Sequence, residues 1–151
     1  MSHFHTSVEG IRVDLSPEER LFLGDVLPML AEIGAPGSDP AADRLRVPVY
    51  LDDPDANEEW WRLMGQDLDA ARREDRSVFQ RMVSSDEPVT LSPEDADSVL
   101  RVLNQARLAL GARLGIDVEE DHDDLPEDSR QVMDYLGWIQ EELTVELTRA
   151  L

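Results

Sequence analysis

SPEDADSVLRVLNQARLALGARLG, residues 92–115, sets the architecture. Ser92 reads as a helix N-cap, Pro93 fills the first helical position, and Asp95 adds a carboxylate to the first turn, where the helix dipole favours it. Beyond the cap, Ala96, Val99, Leu100, Leu103, Ala106, Leu110 and Leu114 recur at helical spacing, and Val102 and Leu108 widen the stripe. A helix apolar over so wide an arc is expected at the centre of a bundle rather than on its surface.

The cap has an echo nearer the start, since VDLSPEE at 13–19 matches VTLSPED at 89–95. In the earlier copy Ser16 caps, Pro17 opens the helix, and Glu19 stands where it completes a capping box. This helix is expected over about 17–34, with a kink or break near Leu27 because Gly24 and Pro28 lie inside it. Before it, FHTSV and IRVDL flank Glu9-Gly10 and predict a β-hairpin over 3–15, to which Val89–Leu91 can add a short third strand.

GAPGSDPAAD, residues 34–43, reads as an exposed loop, and the helix after it is expected over 54–83. Its apolar positions Ala56, Trp60, Leu63, Met64, Leu68, Ala71, Phe79, Met82 and Val83 keep helical spacing, interrupted at Glu74 and Asp75. EEDHDDLPED, 119–128, carries seven carboxylates in ten residues and predicts a solvated acidic linker over about 117–126. A final helix over 127–150 presents Val132, Leu136, Ile139, Leu143, Leu147 and Leu151 near heptad spacing. Tyr135, Trp138 and Val145 lie off that line and suggest a homodimer face on the C-terminal helix. The expected fold is mostly α, with four to five helices packed as an orthogonal or bundle-like domain on a small N-terminal hairpin, all within one domain of 151 residues.

Charge narrows the function classes. The 34 acidic residues against 14 basic ones give a net charge of -20, and every basic residue is arginine. A polyphosphate backbone is repelled by such a field unless arginines gather locally, so DNA is disfavoured and a basic protein partner fits better. With no cysteine, disulfides, thiolate metal sites and thiol redox switches are excluded. No apolar run reaches membrane-spanning length and the opening residues lack a signal-peptide pattern, so no membrane role and a cytoplasmic location are expected.

No nucleophile motif, phosphate-cradling glycine loop or paired-carboxylate signature appears, and no enzyme activity or cofactor is expected. His3, His5 and His122 stand at no recognised ligand spacing and read as exposed; the acidic run around His122 lacks the glycine and spaced ligands of an EF-hand, so no metal site is assigned. Asn104, Arg107 and Gly111 fall at i, i+3 and i+7 on one helix face, where Gly111 suggests close packing by a backbone or a large ring such as Trp60 or Trp138. Either Arg107 ties helices together through an acidic partner, or Asn104, Arg107 and Arg113 form a recognition surface. Arg72, Arg73, Arg76 and Arg81 make the other basic concentration; interleaved with Glu74 and Asp75, they suit intrahelical ion pairs or, alternatively, a DNA-binding patch.

YLDDPDANEEWWRL at 50–63, VTLSPEDADSVLRVLNQARLALGARLGI at 89–116 and YLGWIQEEL at 135–143 together resemble the AosR family of actinobacterial proteins, once catalogued as a domain of unknown function and linked to the oxidative stress response. The positions that carry the likeness are Asn104, Arg107, Leu108, Gly111, Arg113, Gly115, Gly137, Trp138 and Gln140. The resemblance implies a transcription-linked regulator with a protein partner such as RNA polymerase or a sigma factor, and an interaction surface at Asn104, Arg107, Gly111, Arg113, Trp138 and Gln140. A chain without cysteine departs from any disulfide-based sensing. The expected function is therefore a non-enzymatic regulatory binding protein that acts mainly through protein contacts. The alternatives are a DNA-binding regulator that uses the local arginine patch, and a small-molecule-binding protein with a site around Asn104, Arg107 and Trp138.

Overall fold

The computed structural model describes residues 2–46 and 49–151. Strands β1 (Phe4–Ser7), β2 (Gly10–Val13) and β3 (Val89–Leu91) form an antiparallel sheet in that order. Phe4 faces Val13, and Ile11 faces Leu91, so the alternating residues of all three strands put Phe4, Ile11, Val13 and Leu91 on one buried face. The turn is Val8-Glu9, one residue earlier than the sequence suggests, and Gly10 becomes the first residue of β2. Its φ of 134° is open to glycine, and a side chain there would collide with the Leu91 carbonyl oxygen of the neighbouring strand.

The helical part consists of α1 (Pro17–Gly24), α2 (Val26–Ala31), α3 (Pro40–Leu45), α4 (Pro54–Ser84), α5 (Pro93–Arg113), α6 (Glu119–Asp123) and α7 (Glu127–Ala150). Both repeated caps form: Ser16 Oγ accepts from the Glu19 N–H at 3.1 Å with Glu19 reaching back to the Ser16 N–H, and Ser92 Oγ accepts from the Asp95 N–H at 3.1 Å. The first helix breaks at Asp25 rather than near Leu27. The break lets Pro28 occupy the first turn of α2, where its missing N–H has no helical acceptor to serve.

Two segments read as irregular contain helices. In 34–43, Asp39 caps α3 through the Ala41 N–H at 2.9 Å, and Ala41 and Ala42 are buried. Small side chains on both helices let α3 lie close against α5, whose Ala106, Ala109 and Ala112 are likewise buried. In the acidic stretch, Asp121 reaches back to the N–H groups of Asp117 and Val118 at 3.0 and 3.2 Å and starts α6. His122 then ties this turn to α7 by a 2.7 Å contact with Asp134.

The centre belongs to α5, with Ala96, Val99, Val102, Leu103 and Ala106 fully buried among α3, α4, α7 and the sheet. The regular stripe expected along α4 is used in its C-terminal half. Val78, Phe79, Met82 and Val83 are buried, whereas Leu63 and Met64 are exposed. Asp75, read as an interruption of the stripe, is buried and receives two 2.8 Å hydrogen bonds from Arg101 of α5, so its ion pair joins two helices instead of running along one. On α7, Leu136, Ile139 and Leu143 enter the core. Glu146, also buried, accepts from the Thr6 hydroxyl at 2.6 Å and the Thr6 N–H at 3.2 Å, which satisfies the outer edge of β1. Among the described residues no helix is long and apolar enough to cross a membrane.

Candidate functional site

The residues singled out around α5 are distributed over several places. Arg107 donates to Gln140 Oε1 at 3.0 Å and its guanidinium stacks over Gly137: a Cβ there would stand 3.5–3.6 Å from three guanidinium atoms. Its partner is thus an amide and a helix backbone, and among the described residues no carboxylate oxygen lies within ion-pair distance of it. Gly111 packs toward the Met133 methyl, 3.9 Å from where a Cβ would stand, rather than against a tryptophan ring. Arg113 points the other way and pairs with Asp39 at 2.9 Å, fastening α5 to the cap of α3. That bond, with the N–H groups of Gly34 and Ala41, holds the Asp39 carboxyl well below the usual carboxylate range. Asn104 is exposed.

Trp138 lies on a different face of α7 from Gln140, half exposed, with its ring edge-on to His3 at 5.0 Å. His3 was expected in solvent and is instead largely covered. One ring nitrogen is 2.6 Å from Glu19 and the other 3.0 Å from Glu142, so a single imidazole links the chain start to α1 and α7. The sequence marks Glu19 only as a capping residue. In the fold it also accepts the Tyr135 hydroxyl bond at 2.8 Å. Burial pushes the Glu19 carboxyl up, yet the hydrogen bonds from Tyr135 and Ser16 and the nearby His3 leave it below its ordinary value. Burial and the same carboxylate push the Tyr135 hydroxyl upward, so it stays protonated as the donor.

These contacts form one end of a groove of about 400 Å³ between α1 and α7, lined by Glu18, Glu19, Phe22, Asp128, Gln131, Val132 and Tyr135. Phe22 and Tyr135 meet edge to face at 5.1 Å and Tyr135 adjoins Trp138 at 6.4 Å, so an aromatic run continues from the floor to an exposed ring. Among the described residues the lining carries three carboxylates and no cation. Neither Glu18 nor Asp128 stood out in the sequence, because each looks like an ordinary first-turn acid. They share a groove only because α1 and the start of α7 are brought side by side.

The arginines of α4 also separate. Arg81 pairs with Asp95 at 2.6 Å, and Arg73 is exposed. Arg72 and Arg76 turn into a second cleft beneath α2 and α3, where Arg72 donates to the Leu45 carbonyl at 3.3 Å. Among the described residues no group of three or more His, Cys, Asp or Glu side chains is arranged to hold a metal ion.

A family model described as a domain of unknown function, DUF2017, matches residues 1–147. No curated protein and no solved structure matches the chain.

Proposed function

We propose that this chain, which belongs to the DUF2017 family, is a non-enzymatic regulatory protein that docks a basic, partly apolar segment of a protein partner in the groove between α1 and α7. The observation that carries the reading is the pairing of an apolar floor, Phe22, Val132 and Tyr135, with a rim whose charged groups are all carboxylates. An arginine- or lysine-bearing helix meets both requirements: apolar side chains on the floor, cations at Glu18 and Asp128. The net charge of -20 steers such a partner toward the surface and repels free nucleic acid. The resemblance of its sequence to the AosR family favours a partner among transcription proteins, such as RNA polymerase or a sigma factor.

A photo-crosslinking residue at Gln131, on the groove, tests this in the native cell. The expected product joins the chain to a basic segment of a transcription protein, and the double substitution Glu18→Arg with Asp128→Arg cuts the yield about tenfold or more, the size set by losing two charge contacts. Products that survive charge reversal, or none above background, reject the proposal.

Self-association through α7 belongs to the same reading. Trp138 and Val145 are both exposed and lie seven residues apart, on one face. Light scattering is expected to show a dimer that Trp138→Asp converts to monomer; equal masses for the two proteins count against a dimer built on this face.

A further inference from the structure

The cleft beneath α2 and α3 concentrates positive charge in a chain that is otherwise strongly acidic. It measures about 360 Å³, and its lining includes Arg46, Arg72 and Arg76 against the single carboxylate Asp69. Asp69, Arg72 and Arg76 stand at i, i+3 and i+7 and therefore share one face of α4, while Arg46 follows α3 on the opposite wall. Among the described residues seven arginines form ion pairs with carboxylates. Among the described residues these three do not: no carboxylate oxygen lies within 4.0 Å of them.

Each of the three is held by contacts other than a close ion pair, with Asp69 partly offsetting the charge of Arg76. Arg46 lies 4.8 Å over the Trp61 ring and 3.6 Å from where a Cβ on Gly65 would stand, so an aromatic face and a bare helix backbone position it. Arg72 rests on a carbonyl. Among the described residues the buried Nε of Arg76 has no hydrogen-bond partner, as is also the case for Arg20 and Arg107. A buried donor left unpaired destabilises the fold, and like charges one helical turn apart add repulsion. Burial first, and Arg72 second, push the Arg76 guanidinium below its ordinary range. Such an arrangement is poor for stability alone and good for receiving an anion.

We propose that this cleft binds the phosphoryl group of a small phosphomonoester, held by Arg72 and Arg76 on one side and Arg46 on the other. A phosphoryl group offers three acceptor oxygens and up to two negative charges to guanidinium forks arriving from two walls, more of both than a single carboxylate. Leu30 and Ile33 line the same cleft and give the organic part an apolar seat, and the volume is that of a small-molecule site. A duplex backbone fits less well, because the chain's charge of -20 repels a polyanion while a compact dianion needs only the local field.

The test titrates the full chain with inorganic phosphate, phenyl phosphate and phenol at constant ionic strength and follows the arginine Nε–H resonances by NMR. Both phosphates are expected to move the Arg72 and Arg76 signals, phenyl phosphate at lower concentration, and phenol to leave them in place. Arg72→Gln with Arg76→Gln weakens binding about tenfold or more, the equivalent of one charge-assisted bond. Arg76→Gln alone raises the thermal midpoint of the ligand-free protein by removing an unpaired cation, which shows that the variant folds. Signals that stay unmoved at millimolar phosphate, a double variant that binds as well as the parent, or a DNA duplex that moves the same signals at lower concentration than phenyl phosphate each overturn the proposal.

Discussion

Truncating Phe79 to alanine is expected to cost about 4 kcal/mol of folding stability, while truncating Leu63 on the same helix changes it by less than about 0.5 kcal/mol. Phe79 is 0% exposed and belongs to the central core, so its removal loses transfer energy and leaves a cavity that surrounding helices fill only in part. Leu63 is 61% exposed and has little burial to lose. Urea unfolding followed by circular dichroism measures both, with the midpoint falling and the slope unchanged for Phe79→Ala. Equal costs at the two positions would mean that the N-terminal half of α4 is covered as well as the C-terminal half.

Glu19→Ala is expected to cost about 3 kcal/mol, assembled from the lost return bond of the capping box to the Ser16 N–H at about 1 kcal/mol and a part-buried Tyr135 hydroxyl left without its acceptor at about 1–3 kcal/mol. Loss of the His3 contact also loosens the start of β1 from α1. Glu19→Gln keeps an acceptor for Tyr135 and should cost less. Its difference from the parent also depends on pH in a definite sense. The folded-state carboxyl is held below its ordinary value of 4.5, so the ionised form contributes stability that is fully present above that value. It is lost as the pH falls through the lower folded value. The gap between parent and Glu19→Gln should therefore be present above about pH 4.5 and shrink below it, where the parent carboxyl also becomes neutral. Comparing the two proteins cancels the changing self-repulsion of the acidic surface. A gap that persists unchanged into acid would place the contribution of Glu19 in its shape rather than its charge.

Local chemistry made much of the fold legible. The S-P-E-[ED] caps at Ser16 and Ser92 satisfy free N–H groups with neighbours three residues away, and both form as read. The wide apolar arc of α5 demanded a central position, and α7 runs over the expected residues. The short helices were hidden for a physical reason: α3 and α6 have six and five residues, too few to show periodicity, and α3 is held by the burial of two alanines. Among candidate sites, Gln140 entered only through the family resemblance, and it is the fold that sets its amide against Arg107 in place of the acidic partner expected there. His3 was misplaced because neither carboxylate that binds it is near it in sequence.

By itself, then, the sequence determined what depends on neighbours within a few residues: the caps, the hairpin, the helix periods, the acidic field and the exclusion of thiol chemistry. Tertiary structure decided which half of α4 is covered, which acids meet aromatic side chains between α1 and α7, and which arginines are left facing each other beneath α3. Those outcomes turn on distances between residues tens of positions apart. Packing of α3, α4 and α7 around α5, and of α1 on α4, sets them.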